Sequence, residues 1–188
     1  MRVQAAGVSL PDVMMREGIH PETPRVPFTP GWDLVGVVDR LGAGVSGVEP
    51  GQVVAVLPIH GAYAEFVCLP TRALVPVPAG LYAGEAVSLV LNYTTAYQML
   101  HRSAQVRAGQ RVLIHGAAGG VGTALLQLGR RPAWFREDLV TLFELLRQRK
   151  IAPLIAQRLP LAEAGRAHEL LGAGSVTGKL VLLGSGRA

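Results

Sequence analysis

Gly116-Ala117-Ala118-Gly119-Gly120-Val121-Gly122 is a run of small residues suited to holding phosphate. Glycines at such a turn let the backbone approach anionic oxygens. If a helix starts there, its free N–H groups and the positive end of its dipole favour the same negative charge. The pattern is Gly-x-Gly-x-x-Gly with Ala117 in the first place and Gly119 and Gly122 in the other two. Gly116, Ala118, Gly119, Gly120, Val121 and Gly122 are therefore candidate contacts for a dinucleotide's pyrophosphate. The same run also reads as a structural turn.

Other reactive side chains are sparser. The five histidines, at 20, 60, 101, 115 and 168, show no metal-binding spacing. His20 has the chemistry to donate a proton near neutral pH, and it also reads as a solvated loop residue. His115 reads as packing and His168 as structural. Asn92, Thr95 and Tyr97 precede the glycine run and fit either a site or helix capping and packing. Arg130 and Arg131 meet a phosphate or close a helix. No Ser-His-Asp or Cys-His arrangement supports hydrolysis.

These residues need elements to position them. Arg111-Val112-Leu113-Ile114 reads as a strand before the glycine turn, and Thr123 to Leu128 as the helix after it. Residues 1–98 read as mainly β. Strands are expected at 34–38, 53–57, 62–69 and 74–77, with turns at Gly42-Ala43-Gly44 and Pro50-Gly51. Leu81 to Leu100 has helical spacing broken near Asn92. Phe135, Leu139, Leu142, Phe143 and Leu146 mark one face of a helix. A strand at 154–156, a helix over 161–171 stopped by Gly172 and Gly174, and a strand over 178–183 complete the order.

Composition narrows the function. With 188 residues, 49% hydrophobic and 16% charged, the chain buries a real core and is not disordered. The net charge is +5, but the basic residues are scattered and aromatic content is 5%, which argues against nucleic acid. A phosphate-bearing cofactor explains the sign. One cysteine, Cys68, precludes a disulfide framework within the chain, and its apolar neighbours suggest a core thiol. No apolar run is long enough for a membrane span and no signal peptide is evident, so the expectation is a cytoplasmic protein without a membrane partner.

The ordered motifs carry a resemblance. Gly31-Trp32-Asp33-Leu34-Val35-Gly36-Val37-Val38, Gly42-Ala43-Gly44-Val45 and Gly51-Gln52-Val53-Val54-Ala55 resemble the GroES-like domain of medium-chain dehydrogenase/reductases. Thr95-Ala96-Tyr97 and the 112–122 segment look like the quinone oxidoreductase (zeta-crystallin-like) branch, and the 160–182 tail is similar to its C-terminal return. The resemblance implies an α+β / α/β protein. Its parts are a GroES-like β-barrel domain over 1–98, a one-unit Rossmann segment over 99–131 and a return over 132–188 that completes the first domain. It also implies NADPH as cofactor, no zinc, and a quinone or α,β-unsaturated carbonyl as substrate. Gly31 is followed by Trp32-Asp33, where the zinc enzymes carry Gly-His-Glu.

Departures from the family are specific. Ser9 stands where relatives have Asn and His20 where they have Tyr; both positions face the nicotinamide cleft there. Asp12 and Arg16 match. The resemblance places Thr95 beside the nicotinamide, which makes Ser9, His20, Asn92 and Thr95 the cleft candidates. Met1 falls inside the family's first domain, and between Leu100 and Pro132 there is room for about one β-α unit of a doubly wound domain. After the glycine helix no second strand follows; Gly129-Arg130-Arg131-Pro132 does instead. Two readings stay open. One is a zinc-independent NADPH-dependent reductase. The other is an internally deleted, inactive GroES-like module that serves as a binding protein or is a remnant. A homo-oligomer is compatible with either.

Overall fold

Alternation of apolar side chains decides the central sheet. A computed structural model describes residues 1–107, 110–128 and 135–184. Six strands, β1 (Arg2–Val8), β2 (Leu34–Val37), β3 (Val53–Val56), β4 (Val75–Pro76), β5 (Ile155–Pro160) and β6 (Lys179–Leu183), lie in the order β4-β3-β2-β1-β6-β5. Every neighbouring pair is antiparallel except β5 with β6. Ala5, Val35, Ala55, Val75 and Val181 enter one apolar cluster; Ala6, Leu34, Val54, Val56, Leu180 and Leu182 enter the other. This period of two buries both faces. Val3 breaks the parity, since it shares a cluster with Ala6 rather than Ala5. A register shift between Val3 and Ala5 in the β1–β2 ladder resolves the conflict, because one extra residue turns the following side chains over.

Helices cover each face. α1 (Leu10–Arg16) and α6 (Ala164–Gly172) pack together, with α6 also lying on β1, β5 and β6. On the other face lie α2 (Ala83–Ser88), α3 (Thr94–Gln98), α4 (Gly120–Leu128) and α5 (Phe135–Arg147). The expected break near Asn92 is a wide π-helical turn, Leu89–Tyr93, joining α2 to α3. Thr94 Oγ1 donates to the Leu89 carbonyl, five residues back, at 3.1 Å. Such turns re-aim side chains without ending a helix. α5 follows its expected stripe: Leu139, Leu142 and Phe143 are fully buried against α3, the Leu89–Tyr93 turn and β4.

Four expectations are corrected. Residues 111–114 form no strand, and Val112 and Leu113 are 47% and 81% exposed. A strand of this kind is normally buried between parallel neighbours; among the described residues none flanks it. The expected strand at 62–69 reduces to one bridge, Arg2 with Phe66, held by Val3 N–H to the Glu65 carbonyl and Val67 N–H to the Met1 carbonyl. Cys68 is exposed, not a core thiol, because that segment runs along the rim. His115 is likewise exposed rather than packed.

Among the described residues Phe143 is the largest fully buried side chain, and it fixes α5 to the sheet face. Phe143→Ala is expected to cost about 3–5 kcal/mol of unfolding free energy, measurable by urea denaturation.

Candidate active-site cleft

The cleft begins where β1 stops. Ser9 follows β1 in extended backbone and caps α1. The Asp12 carboxylate accepts Ser9 N–H at 2.9 Å and Gly31 N–H at 3.0 Å, tying the start of α1 to the approach to β2. Gly31 has φ +109°, and a Cβ there would lie 2.6 Å from the Tyr63 ring, so both conformation and space require glycine.

Behind Ser9 lies an ion pair closed to water. Lys179 Nζ donates to Ser9 Oγ at 2.7 Å and to Asp33 Oδ2 at 3.3 Å. The Lys179 side chain is 3% exposed and that of Asp33 0%. Among the described residues Asp33 Oδ1 meets no donor at good hydrogen-bonding geometry, although the Leu91 and Gly7 backbone lie close enough to the carboxylate to favour its charge. Burial holds the Asp33 carboxyl above its ordinary range, while the Lys179 ammonium pulls it back down. Asp12 is pushed up to about 6, first by burial and then by the neighbouring Asp33 charge. Two carboxylates thus share one ammonium.

A second polar chain leads outward. Tyr63 O–H donates to the Gly7 carbonyl at 3.3 Å, and burial beside Asp12 and Asp33 pushes its pKa up. His168 Nε2 lies 3.3 Å from that hydroxyl, and Arg16 Nη1 lies 3.5 Å from His168 Nδ1. A guanidinium only donates, so Nδ1 accepts and Nε2 carries the proton. Burial, and then Arg16, lower the His168 pKa.

The glycine turn closes the opposite wall. Gly119 N–H donates to the Gly116 carbonyl, and Gly178 N–H donates to the Ala118 carbonyl at 3.1 Å. The bridge between Gly119 and Gly178 brings the start of β6, and so Lys179, against the α4 N-terminus. The N–H groups of Gly120, Val121 and Gly122 meet no backbone carbonyl among the described residues, as expected of a first helical turn. At Gly122 a Cβ would lie 2.2 Å from the Gly116 carbonyl oxygen; at Gly120 it would lie 2.1 Å from Asn92 Nδ2. The Asn92 amide therefore packs directly on the turn.

Ser9, Asn92, Thr95, Gly119, Gly120 and Val121 line one cleft of about 320 Å³, with Lys179 among them. Gly116 and Ala118 are exposed and, with Gly122, lie outside its lining. His20 is also outside: its ring stands edge-on to Trp32 at 5.3 Å, and Nδ1 accepts Glu22 N–H. Tyr97 is buried against His101. Arg130 and Arg131 lie outside the described residues. Lys179 was not among the sequence candidates. A lysine opening the apolar run Leu180-Val181-Leu182-Leu183 was its signal, since lysine is rarely buried unpaired. A larger concavity of about 580 Å³ beside Arg158 and Pro160 contains none of the candidates.

The residues present bear differently on two groups. The free amides of α4 and the space before them suit the pyrophosphate of a dinucleotide. For a metal, the donor set does not fit: at Asp33 the Lys179 ammonium occupies the place of a cation, and among the described residues no three His, Cys, Asp or Glu side chains gather. Among the described residues no helix is long and apolar enough to cross a membrane.

Comparison with known proteins agrees with this architecture. Residues 1–79 match the alcohol dehydrogenase GroES-like domain family, and residues 77–182 match the zinc-binding dehydrogenase family. The chain is 39% identical over 128 residues to mouse synaptic vesicle membrane protein VAT-1 homolog-like, covering 68% of this chain and 31% of that protein. It is 37% identical over 131 residues to rat quinone oxidoreductase, covering 69% and 40%. The chain thus spans well under half the length of these curated relatives. A mycobacterial protein solved in complex with NADPH shares the fold, with a TM-score of 0.85 at 22% identity over 97% of this chain and 90% of that one.

The neutral His168 makes stability pH-dependent. Its folded pKa is lowered from 6.5, so the unfolded chain takes up the proton first and stability is lost as pH falls below about 6.5. His168→Gln is expected to flatten that loss; thermal melts between pH 7.5 and about 5 check it.

Proposed function

The chain belongs to the medium-chain dehydrogenase/reductase family, and from that premise we propose that the cleft is the active site of a zinc-independent, NADPH-dependent reductase of quinones or α,β-unsaturated carbonyls. The observation that carries this reading is the opening of the unpaired α4 amides into the same cleft as Ser9, Asn92 and Thr95. The amides of Gly120 and Val121 would hold the pyrophosphate, with Gly119 letting it approach the backbone, and Thr95 would lie beside the nicotinamide. The bound cofactor supplies a hydride. The chain's own residues orient the acceptor: Ser9, Asn92 and Thr95 present hydrogen-bonding groups to its carbonyl oxygen, stabilising charge that develops there. Asn92 also fixes the turn, since it fills the space over Gly120.

The pairing of β6 with β1 supports a division in which 132–188 complete the domain formed by 1–98, with 99–131 as the nucleotide unit. The relatives' names, quinone oxidoreductase among them, and the NADPH complex of a protein with this fold support the substrate class and the cofactor. One observation favours the second reading, a GroES-like interaction module without redox chemistry: the exposure of Val112 and Leu113 beside the nucleotide turn. Cooperative melting with no NADPH-dependent quinone turnover is the behaviour of such a module.

Titration with NADPH, followed by nicotinamide fluorescence, separates the two. Saturable binding is expected, and Gly120→Asp is expected to weaken it at least about tenfold, by setting like charge against the pyrophosphate and by driving a side chain into Asn92. No binding at millimolar NADPH overturns the reductase reading.

A further inference from the structure

We infer that Ser9, backed by Lys179, forms a built site for an anionic oxygen, of the kind an enolate, phenolate or hydroquinone carries. The inference rests on reading the cleft as a carbonyl site, but it concerns residues that work without any cofactor. Ser9 Oγ accepts a hydrogen bond from Lys179 Nζ at 2.7 Å. Its own hydroxyl proton has no acceptor among the described residues, and Ser9 lines the cleft. A hydroxyl that already accepts from an ammonium is a stronger donor to the next oxygen, because each hydrogen bond polarises its neighbour. The free direction of the Ser9 proton is therefore the direction of an incoming oxygen.

The supporting groups make the arrangement a prepared one. Asp12 holds the Ser9 backbone through its N–H, so Ser9 need not move to donate. Lys179 is fixed by Asp33 and lies 3% exposed, where its field is little screened by water. Donors fixed before the charge arrives are the effective ones. Asp33 and Asp12 oppose the effect, since both carboxylates act on the same buried neighbourhood as Lys179; Tyr63, joined to His168 and Arg16, feels both of them. Removing the Asp33 charge alone should therefore strengthen the site. A lysine with a merely structural role would give the opposite result, because it would lose its anchor.

The test uses the full chain and p-nitrophenol, with no cofactor present. Phenolate absorbance is followed through a pH titration with and without protein. Bound phenol is expected to ionise about one pH unit lower than free phenol, a tenfold shift in its acidity. Ser9→Ala should reduce the shift, and Lys179→Met combined with Asp33→Asn should abolish it. The double change avoids leaving a buried carboxylate unpaired, and circular dichroism confirms that each variant is folded. Lys179→Arg should retain part of the shift, and Asp33→Asn alone should enlarge it. No binding at millimolar p-nitrophenol, or an equal shift in wild type, Ser9→Ala and the double variant, overturns the inference. A phenolate shift without NADPH binding supports this site while removing the reductase reading; NADPH-dependent turnover without a Ser9- and Lys179-dependent shift does the reverse.

Discussion

Two carboxylates and one ammonium share a space closed to water, and the architecture around the cleft is arranged to make that tolerable. A lone charge in such a place is strongly unfavourable. Asp33, at the threshold of β2, and Lys179, at the start of β6, therefore need each other although they come from opposite ends of the chain. Asp12 is compensated differently, by two backbone N–H groups. Gly7 is the necessary companion: a Cβ there would lie 2.2 Å from Asp33 Oδ1 and 2.6 Å from Lys179 Cε. The ion pair thus dictates a glycine in the central strand and fixes where Ser9 sits.

The glycine turn depends on the same junction. Gly178 N–H donates to the Ala118 carbonyl, and Lys179 N–H donates to the Leu154 carbonyl. One short stretch therefore joins the nucleotide turn, the β5 approach and the ion pair. At Gly178 a Cβ would lie 2.4 Å from the Leu154 carbonyl oxygen, and its φ is +98°. The cleft is a meeting of strand ends and one helix start, where backbone donors are left over by geometry.

Much of this was legible in the residues. The apolar runs 34–38, 53–57 and 178–183, the amphipathic α5 stripe and the glycine turn each follow from side-chain character, period and turn chemistry, and each is present. Ser9, Asn92 and Thr95 were brought together in advance only by family likeness; no spacing rule links position 9 to position 92. What escaped reading depends on tertiary partners. Val112 and Leu113 have strand-forming side chains, but a strand exists only when another lies beside it. Cys68 sits among apolar neighbours on a segment that the sheet leaves at its rim. The π-helical turn at Leu89–Tyr93 looked like a break because a period of 3.6 cannot describe it. Lys179 could have been found by asking what a lysine heading a buried strand must be facing.

The sheet order has a consequence for folding. β1 and β6 are neighbours in the sheet although they stand far apart in the sequence. Closing so long a loop costs chain entropy, which makes this a slow pairing to form. Until it forms, the apolar strand Ala5-Ala6-Gly7-Val8 keeps one edge of backbone donors and acceptors open. Such an edge invites pairing with other chains. Docking of β6 therefore seals the middle of the sheet, and a chain of this design stays open to mispairing until that happens.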